Sequence, residues 1–207
     1  MSLFTKLFQY VLLTSNKYKI DESHSLSHSM NVLTNAYNIF EFESIKTPII
    51  KKYEKIICVS AILHDMCDKK YMNEDDGITD ISNFLEDKIT LEEIDITKKI
   101  ITTMSYSTVK KNGFPDLGIY QPAYHIVREA DLLAAYDFDR CMIYKMYKSN
   151  LNFEEAFEDA ENLFNIRVFK HNEDKLFFTD YSKLQSIKLE YNAKKRINIW
   201  RNILRKI

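Results

Sequence analysis

The scarcity of turn-forming residues constrains this chain more than any other feature of its sequence. Glycine and proline occur only three times each among 207 residues. Sheet-rich folds need many tight turns, and those turns draw on glycine and proline. Long helices need few of them, so the sequence predicts an all-α fold, a single helical bundle without a substantial sheet.

Apolar residues recur at helical spacing along most of the chain. Ser23 is expected to cap the second helix, and Thr90 with Glu93 has the form of a capping box. Between Thr108 and Pro122 the chain holds Gly113, Pro115, Gly118 and Pro122, a cluster that predicts a loop. Helices are expected over residues 3–13, 26–40, 48–65, 81–85, 90–104, 124–136, 153–164 and from about 181 to the end.

No linker, repeat or low-complexity segment divides the sequence. We therefore expect one domain over residues 1–207, with a core at about 21–140 and a C-terminal helical extension at 150–207. Hydrophobic residues make up 45% of the chain and charged residues 29%, a balance that can bury an ordinary core.

The formal net charge is −1, so no global positive field points to nucleic acid as a partner. Basic residues are nevertheless dense near the C-terminus, where they would form either a solvated helix face or a patch for RNA or a membrane. We favour the solvated face, because in a near-neutral protein a few acidic neighbours are enough to balance the positive charge of these residues. These residues are Lys183, Lys188, Lys194, Lys195, Arg196, Arg201, Arg205 and Lys206.

The three cysteines, Cys58, Cys67 and Cys141, are widely spaced and odd in number, which is typical of reduced thiols in a reducing compartment. No apolar run reaches the roughly 18 residues that span a bilayer. The apolar N-terminal segment is interrupted by Lys6 and Gln9 and lacks a small-residue cleavage site, so we interpret it as a first helix. We expect a cytoplasmic protein with no membrane partner, and the oligomeric state stays open.

A histidine and an aspartate, His64 and Asp65, directly follow an almost wholly apolar helical stretch at residues 59–63. Imidazole nitrogen and carboxylate oxygen are both common ligands of divalent metals. A lone His-Asp pair arises often by chance, however, and taken alone it would equally suit an ordinary capping pair at a surface helix end.

Further ligand types stand upstream and downstream of that pair. His24 and His28 are four residues apart and share a helix face if their helix begins early enough. Asp131 lies among alanine and leucine on a predicted buried helix, where an unpaired carboxylate is costly. A metal cation would stabilise it, and so would an ion pair with Arg128. We interpret His125 and His171, by contrast, as structural residues.

The order His28, then His64-Asp65, then Asp131 resembles the HD phosphohydrolase superfamily over about residues 21–140. The string LHDMCDKKY at residues 63–71 is similar to the segment L-H-D-x-x-D-x-K followed by Phe or Tyr in small bacterial HD-domain nucleotide pyrophosphohydrolases. Residues 21–28 resemble the opening D-x-S-H-D-x-x-H of that subfamily, and residues 126–131 resemble its I-V-x-D-A-D. The chain departs from these patterns at Ser25, Glu129, Leu132 and Ala134, where the subfamily has Asp, Asp, Arg and Asp.

The resemblance implies that His28, His64, Asp65 and Asp131 are the metal ligands. It also implies that His24, Asp68 and Lys70 face the substrate or support the ligands. Four side-chain ligands leave open positions on a six-coordinate ion, whereas a closed tetrahedral structural site leaves none. The ligand set accepts manganese, magnesium, zinc, nickel, cobalt or iron.

The chemistry of such a site is consistent with phosphoryl transfer to water. A divalent ion lowers the pKa of its water from about 15.7 to about 7 and polarises a phosphoryl oxygen. Asp65, Asp68 and Lys70 are therefore candidate catalytic residues, with Lys70 and Arg128 available to neutralise charge on the phosphate. Together with His24, these two cations are the candidate substrate-binding residues, and the loop at residues 108–122 is expected to act as a mobile lid beside the metal.

The sequence thus favours a metal-dependent phosphohydrolase that acts on a small phosphorylated substrate. The favoured substrate is a nucleoside triphosphate, cleaved to a monophosphate and pyrophosphate. One alternative is an HD phosphomonoesterase such as a 5′-nucleotidase. Another is a non-catalytic nucleotide- or RNA-binding module, which the departures at Leu132 and Ala134 motivate. Base and sugar preference and the number of ions are left open.

Overall fold

The protein is described by a computed structural model that covers residues 1–206, and no strand occurs in that part of the chain. The expected all-α class is therefore confirmed. Short 3-10 segments at Glu22–His24, Pro48–Tyr53, Gly118–Tyr120 and Val168–Lys170 join some of the helices. The α-helices are α1 (Leu3–Tyr18), α2 (Leu26–Lys46), α3 (Glu54–Leu63), α4 (Glu74–Leu85), α5 (Leu91–Thr103), α6 (Tyr106–Asn112), α7 (Gln121–Ala134), α8 (Phe138–Ser149), α9 (Phe153–Ile166) and α10 (Asp180–Leu204).

Side-chain caps explain why several helices begin where they do. The Thr90 hydroxyl accepts from the Glu93 amide at 3.2 Å while the Glu93 carboxylate accepts from the Thr90 amide at 2.8 Å, so the predicted capping box is confirmed. The expected Ser23 cap is wrong, because Ser23 lies inside a 3-10 turn that the Asp21 carboxylate caps. Helix α2 begins three residues later, after Ser25, without a side-chain cap.

Helix α3 is the centre of the bundle, since every residue from Ile56 to Leu63 is buried. On one side its Ile56, Ile57 and Ala61 join an apolar cluster with α2, α7 and the C-terminal helices. On the other side its Val59, Ile62 and Leu63 join a second cluster with α1, α4 and α5. Each fully buried aliphatic side chain contributes about 1.5–3 kcal/mol. The two clusters together hold α3 in a fixed position.

The turn after α3 is held by a close approach of α4. Gly77 in α4 lies against this turn so tightly that an added Cβ would come within 2.9 Å of the Cα of Cys67. Glycine is required there because a larger residue would push α4 away from the turn. The segment that carries His64 and Asp65 is thereby fixed by the buried helix α3 before it and by the contact of α4 with Cys67 after it.

The expected loop over residues 108–122 is shorter than the sequence suggested. Helix α6 extends to Asn112, and Pro122 is already the second residue of α7. The irregular part covers residues 113–117, with Gly113 at a φ of 76°. Glycine and proline here mark the ends of successive helices, which a sequence pattern does not distinguish from one continuous loop.

The C-terminal helix is tied to α7 by a buried carboxylate, Glu129. Its oxygens accept hydrogen bonds from the Phe178 amide at 2.7 Å, the Thr179 amide at 3.1 Å and the Thr179 hydroxyl at 2.6 Å. These donors lie at the start of α10, where the helix dipole favours a negative charge. Glu129, which stands where the resembled pattern has Asp, thus anchors α10.

None of the helices within residues 1–206 is long and apolar enough to cross a membrane. The basic residues of α10 are partly paired with acidic neighbours. Arg196 pairs with Asp139, and Lys194 lies 2.6 Å from Glu190. This pairing favours the interpretation of the helix as a solvated face.

We predict that Glu129→Ala lowers the free energy of unfolding by about 3–5 kcal/mol, because it leaves the donors at the start of α10 without their acceptor and the buried Arg128 without its carboxylate partner. Urea unfolding followed by circular dichroism measures the effect. The matched control is Glu158→Ala, which removes an exposed carboxylate from α9 and should change stability by less than about 0.5 kcal/mol. Equal effects in the two variants would contradict the anchoring role.

Candidate metal centre

The four predicted ligands meet where α2, α7 and the turn after α3 converge. His28 is the third residue of α2, His64 directly follows α3, and Asp131 projects from α7. The two imidazoles are almost fully buried, at 3% exposure for His28 and 6% for His64. Burial of α3 carries His64 to the middle of the bundle, and the turn then directs Asp65 to the same point.

Three ligand atoms form a compact triangle. The Nε2 atoms of His28 and His64 are 3.1 Å apart, and Oδ2 of Asp65 lies 3.4 Å from the first and 3.2 Å from the second. Adjacent ligands about 2.1 Å from one ion are separated by about 3.0 Å in octahedral and about 3.4 Å in tetrahedral geometry. The triangle has the dimensions of one face of such a coordination shell, so this buried group can hold a metal ion.

The hydrogen-bonding pattern of the triangle also fits a cation. Oδ2 of Asp65 is buried and has no hydrogen-bond partner. Nδ1 of His64 lies 2.9 Å from the carbonyl oxygen of Ala61, which can only accept, so Nδ1 carries a proton, and the Nε2 lone pair points inward once the ring has lost its second proton. An unpartnered carboxylate oxygen beside an inward lone pair is a donor set for a divalent ion.

Asp131 lies at the edge of this triangle. Its Oδ1 atom is 3.4 Å from Nε2 of His28 and 3.8 Å from Nε2 of His64, and its side chain is 29% exposed. The fold therefore brings the predicted fourth ligand to the same place from a residue far along the chain. Its greater exposure places it at the open side of the cluster, next to the cavity.

Burial and neighbouring charges shift the pKa values of the group in opposite directions. Burial and the Arg140 guanidinium lower the pKa of His28 to about 4. Burial also disfavours charge on His64, but the Asp65 carboxylate outweighs it and raises the pKa of His64 to about 9. The histidines in turn hold the pKa values of Asp65 and Asp131 below their usual range against the effect of burial.

Arg140 of α8 contacts the outer nitrogen of a candidate ligand. Its Nη1 atom lies 2.8 Å from the Ser23 carbonyl oxygen and 3.1 Å from Nδ1 of His28. Because a guanidinium only donates, Nδ1 of His28 accepts in this arrangement, and Nε2 of a neutral ring bears the proton. Metal binding through Nε2 therefore requires that proton to move to Nδ1 and Arg140 to turn away from it.

His24 is fixed by a polar cluster beside the ligands. Its Nδ1 atom lies 2.7 Å from the Ser23 hydroxyl and 3.1 Å from the Tyr71 hydroxyl, both of which also bond to Asp21. Although burial opposes it, these hydrogen bonds hold the pKa of the Asp21 carboxyl below its usual range. The arrangement orients the His24 ring along the wall of a cavity at the ligands.

That cavity has a volume of about 180 Å³ and is open to solvent on one side. An adjoining cavity of about 160 Å³ shares several of its lining residues. Lys70 lines both, and its Nζ atom lies 3.1 Å from Oδ2 of Asp68. The residues common to the two cavities are Asp65, Asp68, Lys70, Ser105, Asp131 and Arg167.

Two sequence-based expectations do not match this geometry. Arg128 is 2% exposed, lines neither cavity, and donates to the carbonyl oxygen of Leu176 and to Glu129. Its guanidinium packs against the rings of Phe114 and Phe178 instead, since side chains three residues apart on a helix point about 60° away from one another. The irregular segment 113–117, which includes Phe114, lies on that side as well and does not line the cavities as the expected lid would. The nearby residues that do line them are Ser105, Tyr106, Ser107 and Thr108.

Several residues that line the main cavity, the larger of these two, were not among the sequence-based candidates. Arg140 and Tyr144 come from α8, and Arg167 directly follows α9. They belong to no motif, and each is separated from the ligands by many residues of chain. The one signal that Arg140 and Arg167 offered is a charged residue in or just after an amphipathic helix. That signal does not distinguish a cavity wall from a solvated face.

We predict that wild-type protein stripped of metal binds one or more Mn²⁺ ions and that His64→Ala weakens this binding by at least about 10²-fold. Metal-free His64 is protonated below its pKa of about 9 and must release that proton to bind, so apparent affinity should rise with pH, by up to about tenfold per unit below that value. Calorimetric titration at several pH values measures both effects.

His125→Gln is the matched control for this experiment, since His125 packs against Phe114 and Phe178 away from the ligands. It should bind Mn²⁺ like the wild type. Unchanged binding in His64→Ala, or an affinity that falls as the pH rises, would contradict the assignment of the ligands.

Comparison with known proteins supports the fold. No family model matches the chain, and no curated protein matches it either. A crystal structure of a Lactobacillus plantarum protein, solved as a structural-genomics target, is similar with a TM-score of 0.71. The match covers 98% of this chain and 97% of that one at 18% sequence identity. At this identity the likeness establishes the shared fold alone.

Proposed function

We propose that this protein is a divalent-metal-dependent phosphohydrolase of the HD type that acts on a small phosphorylated substrate. The single observation that carries the proposal is the triangle of His28, His64 and Asp65 atoms at the inner end of an open cavity. The order of these residues and of Asp131 in the sequence agrees with the HD pattern. A structural metal site would be closed by protein ligands, whereas this one adjoins solvent-accessible space.

A divalent ion held here supplies a Lewis acid and makes water acidic enough to act as a nucleophile at neutral pH. The protein's own side chains then have separate tasks. Asp65 and Asp131 offer negative charge to the ion, and Lys70 presents an ammonium to the same cavity. Asp68 holds this ammonium at 3.1 Å and accepts from the Lys70 amide at 2.9 Å, which keeps the lysine directed at the substrate space.

The finer form of the proposal is hydrolysis of a nucleoside triphosphate to a monophosphate and pyrophosphate. Phosphomonoester hydrolysis is the second candidate, and the modest cavity of about 180 Å³ favours a compact substrate of that kind. A screen of nucleoside mono-, di- and triphosphates with Mn²⁺, Mg²⁺, Co²⁺, Ni²⁺, Zn²⁺ and Fe²⁺ separates the two when phosphate and pyrophosphate are both measured. Binding without turnover of any compound would instead support a nucleotide-binding module.

We predict that Lys70→Ala retains the metal but lowers kcat/KM on the best substrate by on the order of 10²-fold. The reason is that one charge contact to the developing phosphoryl charge is lost. Steady-state kinetics with metal analysis of the same samples tests this expectation. His64→Ala should lose both metal and activity.

The matched control for Lys70→Ala is Lys52→Ala, an exposed lysine in the 3-10 segment before α3. It should have wild-type kcat/KM. Full activity in Lys70→Ala beside an inactive His64→Ala would retain the hydrolase and remove Lys70 from its mechanism.

A further inference from the structure

Arg167 brings a positive charge into the site from the C-terminal part of the chain. It directly follows α9 and lines both cavities together with Asp65 and Asp131. Its side chain is half-buried, and within residues 1–206 its guanidinium makes no ion pair or hydrogen bond. A partly desolvated charge without a partner is costly, so this arrangement indicates a binding partner that is not part of the chain.

The guanidinium nonetheless packs over an aromatic ring. Its central carbon lies 4.4 Å from the centre of the Tyr106 ring, at the start of α6. A stacked guanidinium keeps its N–H donors in its own plane, so they remain free at the edge of the ring. Tyr106 lines the main cavity as well, and the pair therefore presents fixed donors to that space.

Comparison with the other two cations of the cavity shows why Arg167 differs. Lys70 is already paired with Asp68 at 3.1 Å. Arg140 is engaged by the Ser23 carbonyl oxygen and by His28. Arg167 also makes no side-chain bond to the carbonyl groups at the end of α9, the usual role of an arginine at a helix C-terminus.

The balance of charge then suggests the ligand. A divalent ion neutralises Asp65 and Asp131, and Asp68 neutralises Lys70, which leaves the guanidinium groups of Arg140 and Arg167 without carboxylate partners. Planar guanidinium donors match phosphate oxygens, and two surplus positive charges suit an anion with more than one phosphate group.

We infer that Arg167, stacked on Tyr106, binds a phosphate group of the substrate and selects phosphoanhydrides over single phosphates. The identity of the anion rests on the proposed phosphohydrolase function, whereas the anion site itself rests on the geometry of Arg167. This residue lies outside the segment that carries the HD-type motifs, so the C-terminal helices contribute to recognition as well as to the fold.

The experiment is calorimetric titration of Mn²⁺-loaded protein with inorganic pyrophosphate and, separately, with orthophosphate. Wild type should bind pyrophosphate at least about tenfold more tightly than orthophosphate. Arg167→Ala should lose at least about tenfold in pyrophosphate affinity, a change of about 1.4 kcal/mol, and lose the preference. Arg167→Lys should recover part of the affinity, because it restores the charge without the planar donors.

Lys188→Ala, an exposed lysine on α10, is the matched control and should bind pyrophosphate like the wild type. Circular dichroism of every variant establishes that folding is unchanged, and Arg167→Lys provides the test if Arg167→Ala does not fold. Failure of wild type to bind pyrophosphate, or equal affinity in wild type and both Arg167 variants, would overturn the inference.

The outcome is separable from that of the hydrolase proposal. Pyrophosphate binding that depends on Arg167 in a protein with no turnover would retain the anion site and reject the hydrolase. Turnover by a protein whose pyrophosphate affinity does not depend on Arg167 would retain the hydrolase and reject the anion site.

Discussion

The packing of α3 between two apolar clusters is the constraint on which the rest of the structure depends. This helix ends at Leu63, so its burial delivers His64 and Asp65 directly to the interior of the bundle. Helices α2 and α7 pack against the same helix and bring His28 and Asp131 to that point. A shift of α3 by one residue would rotate the pair by about 100° and separate it from the other ligands.

Placing two imidazoles and two carboxylates at one buried point creates an electrostatic conflict that a cation resolves. Burial disfavours charge on every member. Together with the Arg140 guanidinium it lowers the pKa of His28 to about 4, whereas the Asp65 carboxylate outweighs burial and raises the pKa of His64 to about 9. The partnerless Oδ2 of Asp65 shows that the protein's own donors do not complete the group. The same desolvation that makes the group costly without a cation makes it a strong ligand set.

The C-terminal helices complete the site rather than only covering it. Glu129 anchors the start of α10 through three hydrogen bonds, and α8 and α9 then form the far wall of the cavity. From that wall Arg140 contacts His28, and Arg167 lines the cavity together with Asp65 and Asp131. Helix α7, which carries the candidate ligand Asp131, thus also carries the carboxylate that fixes the C-terminal helices, which links the stability of the extension to the shape of the cavity.

Much of the fold was evident in the sequence, because helical periodicity and the rarity of glycine and proline are local properties. They predicted the all-α class, the capping box at Thr90 and the start of α10 near Tyr181. The residues of the candidate metal centre were also identifiable, since chemically unusual side chains such as His64 and Asp131 stand in apolar surroundings. Their convergence was an expectation that the packing of α2, α3 and α7 fulfils.

Other features were decided by tertiary structure alone. Arg128 is only three residues from Asp131 in the sequence, which suggested that it faces the cavity. The orientation of α7 in the bundle instead directs it toward Phe114 and Leu176. Arg167 stands in no motif, and its contact with Tyr106 joins segments that are distant in the chain. The sequence by itself determined the all-α class and which residues have the chemistry to bind a metal. Which cations face that metal site depends on how whole helices pack and rotate against one another, a sum of many weak apolar contacts that no local pattern records.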